Sequence, residues 1–216
     1  LKVLATSRNR REVVEDLQEG AFSWKTIDAE RRDNQEDIYA FVEARCQADP
    51  LVAVLQRAGM TAAEMASIVQ EKSCGKFLYA VTLLRGLSSG SRTIQSRADL
   101  EALPKGMDDF YKVIFNQRFP AASTNSALQP LLGLLCVKQQ PLGYRELAAM
   151  AQVSEDQVSD CLEPVADLLR FQLSPDSDGS TFNDDDWRIS FDHVSLEQWL
   201  TAKSDGPSRR ARAGSF

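Results

Sequence analysis

One histidine stands in 216 residues. That scarcity excludes a metal site built on two imidazoles, and no H-E-x-x-H run occurs. Cysteine is sparse as well. Cys46, Cys74, Cys136 and Cys161 lie far apart, with no C-x-x-C pair, which argues against a disulfide framework or a zinc site and for reduced thiols in apolar, helix-like settings. Long hydrophobic runs are missing. The strongest, Leu128 to Val137 and Phe77 to Leu84, have about half the length of a bilayer span, so no membrane partner is expected. Neither a G-x-x-x-x-G-K-[ST] phosphate loop nor a G-x-S-x-G elbow is present, and no complete catalytic set is visible. No catalytic and no metal-ligating residue is therefore assigned. The chain begins at Leu1 without the basic and apolar regions of a signal peptide, and reads as a cytoplasmic fragment.

What is present is ordinary for a folded soluble chain: 43% hydrophobic and 26% charged residues, with length for one large or two small domains. Leu1 to Ala5 and Ser23 to Ile27 read as short strands around a helix that Asn9 caps and Gly20 stops. Residues 31–100 are helical in pattern. Thr61 and Glu64 make a capping box, Gly75 breaks the chain, and Phe77 opens a buried helix. Leu87 to Arg97, rich in Ser and Gly, reads as a loop. After Leu103-Pro104 come a helix carrying Phe110, Val113 and Ile114, a nearly all-apolar helix from Leu128, and a short helix from Tyr144. Ser154 and Gln157 then cap a further helix that Pro164 ends or kinks. Leu168 to Leu173 and Trp187 to Phe191 read as strands about a polar stretch holding Asp184, Asp185 and Asp186. That order of elements predicts a winged helix. The fold class expected is mainly α: a partial α/β sheet edge, a helical bundle, then a winged-helix domain with a small β-hairpin wing.

Charge is uneven. Residues 101–200 hold 7 basic and 16 acidic side chains, against a net charge of −6 for the whole chain. The segment in the place of a recognition helix, Ser154 to Arg170, sets five acids against Arg170 alone. Such a face repels a phosphate backbone, so no nucleic-acid partner is expected. Those acids read as a solvated face or as a match to a basic partner. The Asp184 to Asp186 run lacks the spacing of a calcium loop and reads as a solvated turn.

Three small features remain. Arg8 follows Thr6-Ser7 at the carboxyl end of a strand, where open α/β sheets bind ligands and a guanidinium can grip phosphate. Taken alone, such an arginine is more often a solvated residue at a helix start. Gly75, with Phe77 and Leu78, lets backbone approach a flat ligand, although spacing alone favours an ordinary helix break with core packing. His193 lies between a strand and a final helix, placed to donate to a phosphate at that helix N-terminus, though a lone histidine is usually a satisfied structural residue.

Taken in order, the strand with Thr-Ser-Arg8, the Gly75-x-Phe77-Leu-Tyr-Ala run, Leu103-Pro-x-Gly-Met-x-x-Phe-Tyr111, the winged helix and His193-x-Ser-Leu-x-x-Trp-Leu200 resemble the C-terminal part of a NACHT-type module. Such modules belong to the STAND class of P-loop NTPases, with the NOD-like receptors and apoptosome-type ATPases. The resemblance implies that residues 1–30 are the edge of a nucleotide-binding domain, 31–100 a helical lid, 101–200 the winged helix and 201–216 a linker. It implies ADP and ATP as cofactors, with magnesium bound by a P-loop core preceding Leu1. Arg8 would face the γ-phosphate, Gly75 and Phe77 would lie beside adenine, and His193 would touch the β-phosphate of ADP. The position that is proline in many relatives is Phe77 here, and Asp192-His193-Val194 replaces Met-His-Asp. The implied function is regulation of a signalling scaffold in innate immunity or a similar pathway, by a switch from ADP-closed to ATP-open. Its implied partners are the P-loop core, further copies on activation, and a C-terminal repeat domain. The fragment lacks its own phosphate loop and would not hydrolyse ATP. Two other readings stand beside this one: an interaction module without a nucleotide role, and a winged-helix DNA-binding regulator.

Overall fold

The computed structural model describes residues 15, 28, 31–119, 127–138, 140–173 and 187–202. Arg8, the first strands and the Asp184 to Asp186 run lie outside them. The described chain is mainly helical with a small antiparallel sheet.

The first helices, α1 (Arg32–Arg45), α2 (Leu51–Ala58), α3 (Ala62–Ser73) and α4 (Phe77–Ser89), pack around Ile38, Val42, Leu55, Met65, Val69 and Leu83. Thr61 caps α3 as expected, its hydroxyl taking the Glu64 amide while the Glu64 carboxylate takes the Thr61 amide at 2.9 Å. The Ser- and Gly-rich stretch is only partly a loop. Apolar Leu83, Leu84 and Leu87 keep α4 helical to Ser89, and a second capping box, Ser96 with Asp99, starts the short α5 (Arg97–Glu101). The helix α6 (Met107–Arg118) is shared by two packing faces. Phe110 lies against Tyr79 of α4, with ring centroids 4.4 Å apart, and Tyr111 lies against Trp199 near the C-terminal end.

The remaining elements run α7 (Leu128–Val137), β1 (Leu142–Gly143), α8 (Tyr144–Ala151), α9 (Glu155–Leu162), a 3₁₀ turn (Glu163–Leu168), β2 (Leu169–Leu173), β3 (Trp187–Phe191) and α10 (Val194–Thr201). The sheet order is β1-β3-β2, both pairs antiparallel. This is a winged-helix arrangement with three strands rather than a bare hairpin. Sequence reading misses β1 because two residues carry no alternation. A Cβ at Gly143 would meet the end of the flexible Arg188 side chain at 2.7 Å, so that guanidinium would have to shift. With glycine there, the guanidinium passes over to the Glu146 carboxylate, 2.8 Å away. The segment read from Ser154 to Arg170 is α-helical only to Leu162, just before Pro164, the residue expected to end or kink it. Pro164 lacks an N–H, the chain tightens into the 3₁₀ turn, and Arg170 falls in β2.

The thiols divide. Cys46 and Cys161 are buried, Cys136 is partly covered and Cys74 is exposed, a correction to the uniformly apolar settings expected. Cys74 ends α3 in a left-handed conformation, φ 49°, which turns its side chain out. Burial pushes the Cys46 thiol up to about 11. Among the described residues no helix is long and apolar enough to cross a membrane.

Candidate functional site

The geometry around His193 starts with the end of β3. The Asp192 amide donates to the Leu168 carbonyl at 3.0 Å, which turns the chain out of the sheet. His193 follows with extended backbone and caps α10. The amide N–H of Ser195 donates to its Nδ1 at 3.0 Å, and the Ser195 hydroxyl lies 2.9 Å from the same nitrogen. An amide can only donate, so Nδ1 presents a lone pair and the proton of the neutral ring sits on Nε2. The imidazole is exposed, and Nε2 has no partner among the described residues. The Tyr111 hydroxyl continues the chain of contacts, 2.9 Å from the Ser195 hydroxyl. Burial raises the Tyr111 phenol above its ordinary range, so it remains a neutral donor.

Beside the cap runs a charged seam between the helices and the winged part. Arg118 grips Asp167 of the 3₁₀ turn with both terminal nitrogens, at 2.5 and 2.8 Å. Both side chains are nearly buried, 11% and 9% exposed. Arg85 of α4 donates to Asp192 at 2.6 Å and to the Asp167 carbonyl at 3.3 Å. Arg170 approaches the other Asp192 oxygen at 3.8 Å. Sequence reasoning missed this seam. Arg85, Arg118 and Asp167 each look like solvated helix charges, and only the fold pairs positions 49 and 107 residues apart.

Gly75 has a different setting. It is buried with φ 74°, a left-handed turn that glycine adopts without steric cost. Its carbonyl accepts from the Asn34 side chain at 2.8 Å, and Gln70 ties α3 to the Gln35 carbonyl at 2.9 Å. The turn is thus clasped by α1. Phe77 is 38% exposed and meets Phe41 edge-on, centroids 5.7 Å apart. The Phe77 side chain thus stays partly open to solvent. Phe77 and Arg85 stand eight residues apart on α4, about 12 Å along the axis. The helix therefore links the Gly75 turn to the His193 neighbourhood without bringing them into contact. Among the described residues, pockets of about 510 and 260 Å³ indent the surface, and neither of these is lined by Gly75, Phe77 or His193.

The winged part shows one further feature. Its 510 Å³ pocket is lined by Tyr144, Phe171 and Trp187 with Glu155, Asp156 and Ser159. The exposed face of α9 carries Glu155, Asp156 and Asp160, which would repel a nucleic-acid backbone. Comparison of the chain with family models, with curated proteins and with solved structures gives no match.

Proposed function

We propose that this chain is the regulatory part of a nucleotide-switched signalling scaffold of the NACHT/STAND kind, closed with ADP and open with ATP. In this reading a P-loop core supplies the phosphate loop and the magnesium site. The winged helix locks the ADP state, and its release frees surfaces for self-assembly. The observation that carries the reading is the state of His193: capped from within at Nδ1, open at Nε2, and seated at the N-terminus of α10. That N–H is a donor suited to a phosphate oxygen, in a place where the helix dipole already favours an anion. Asp192 next to it is fastened to Arg85, so movement of the cap would be transmitted to α4. A hydrogen bond to a charged group contributes about 1.5–3 kcal/mol, enough to shift a two-state balance about tenfold or more.

The test is made in the protein together with its P-loop core. His193→Ala should lower the ADP retained through purification and raise basal oligomerisation. Unchanged ADP content, measured on the extracted nucleotide, removes His193 from the switch. Arg8→Ala should impair the ATP response more than ADP binding; equal losses for both nucleotides would count against a γ-phosphate sensor.

A second reading rests on a separate observation. The aromatic and acidic lining of the 510 Å³ pocket suits a basic side chain of a protein partner, as an interaction module without a nucleotide role would need. Loss of partner binding in Trp187→Ala, with His193→Ala silent in both assays, selects that reading.

A further inference from the structure

Arg92 forms no ion pair among the described residues. Its guanidinium carbon lies 4.9 Å from the centroid of the Phe110 ring, which has no exposed surface. The side chain is only partly exposed. Among the described residues no carboxylate reaches it within ion-pair distance; Asp167, whose charge acts on it, is held by both arms of Arg118. Burial, with the Arg118 charge close by, pulls Arg92 below the ordinary arginine range. Partly buried charges are costly unless something pairs with them.

A pocket of about 260 Å³ opens at this same side chain. One wall is the last turn of α2, from which Arg57 projects. The other is the end of α4 and the chain beyond it, with Ser88 and Thr93. Val54 and Ile94 form an apolar floor. Arg57 is exposed and has no acidic partner among the described residues, and the Ser88 and Thr93 hydroxyls carry no hydrogen bond there. The ends of α2 and α4 meet at this place, and their carbonyls offset part of the positive charge. A helix end amounts to about half a charge, so two guanidinium groups leave about one positive charge in surplus.

We propose that this pocket binds the phosphate group of a small molecule, with Arg57 and Arg92 as paired donors. Phosphate fits better than a carboxylate on two counts. Its charge approaches −2 near neutral pH, which suits two guanidinium groups, and its several acceptor oxygens can meet both of them and two hydroxyls together. The volume is below that of most drug-sized pockets, about 300–1,000 Å³, so the body of the ligand is small. The site is separate from the His193 cap and does not rest on the nucleotide reading.

Inorganic phosphate is the probe. Backbone amide shifts of the 216-residue chain are followed during titration with phosphate at constant pH and ionic strength, with chloride as the control. The expected result is a saturable shift confined to residue 57 and residues 88–94, with a dissociation constant in the millimolar range. Arg57→Gln and Arg92→Met should each weaken it at least tenfold. Arg92→Met keeps an apolar stem over Phe110, and Arg57 is exposed, so both variants should retain the wild-type spectrum elsewhere. Shifts that fail to saturate, that chloride reproduces, or that persist unchanged in both variants would overturn the proposal.

Discussion

Gly75 and His193 stand at two corners of the same helical framework and differ in where their polar groups go. At Gly75 they are turned inward: the carbonyl takes the Asn34 amide, and the buried left-handed turn closes α3 onto α4. At His193 one nitrogen is turned inward to the Ser195 amide and the other faces solvent. A residue whose polar groups are consumed by the fold has little left for a ligand, whereas a cap with one free donor serves both. The resemblance assigned both to the same nucleotide. The geometry makes Gly75 a structural turn, while Phe77 beside it is partly exposed.

The largest test of this contrast is at the seam that fixes the His193 corner to the helices. Asp167→Ala strands the nearly buried Arg118 guanidinium, so unfolding free energy should fall by about 3–5 kcal/mol, read from the midpoint in urea. Arg118→Met combined with Asp167→Leu should recover most of it, because neither buried charge remains. A loss below about 1 kcal/mol in Asp167→Ala would mean that the pair is screened and that the corner is held by packing alone.

Next comes the inward corner. Gly75→Ala places a Cβ on a residue with φ 74°, at a cost of about 1–2 kcal/mol. Asn34→Ala removes one hydrogen bond from the same turn and should cost about 1 kcal/mol. If both variants match the wild type in denaturant, the clasp on the turn is not structural and the contrast with His193 fails.

How far the sequence foretold these two corners depends on how local their causes are. The capping boxes Thr61–Glu64 and Ser154–Gln157 were legible because cap and partner lie three residues apart. Pro164 marked the end of α9 for an equally local reason. The α7 core helix, the β2–β3 pair and the glycine break followed from composition and alternation. The seam did not, since nothing near Arg118 in the chain announces Asp167. Nor did β1, whose two residues are recruited by β3 through pairing alone. At the site, His193 was conspicuous as the lone imidazole, but its tautomer came only from the Ser195 amide, and Arg92 was concealed in a stretch read as loop.

At the outward corner the cap and the free nitrogen can be separated. His193→Asn keeps an oxygen that can accept the Ser195 amide, so stability should stay within about 0.5 kcal/mol of wild type. His193→Ala loses the cap and should cost about 1 kcal/mol. If Nε2 is the phosphate donor, Asn should nevertheless lose ADP as fully as Ala. Retention of ADP by the Asn variant would make His193 a cap and nothing more.

The smallest effect uses the thiols as reporters of the same inward and outward distinction. Cys74, beside Gly75, is exposed, whereas Cys46 is buried in contact with the Met65 sulfur, 3.6 Å away. Burial raises Cys46 and Cys136 to about 11, which favours the neutral thiol in the folded state. Unfolded thiols ionise from about 8.5, so this contribution is complete below that pH and declines as the pH rises towards 11. Urea midpoints should fall across that window, and a Cys46→Ala, Cys136→Ala variant should show a flatter decline. In the native protein at pH 8, a thiol reagent should modify Cys74 first, with Cys46 reacting only as fast as the helices open. Equal labelling of Cys46 and Cys74 would show that the packing of α1 on α3 is open in solution, and the inward corner would no longer differ from the outward one.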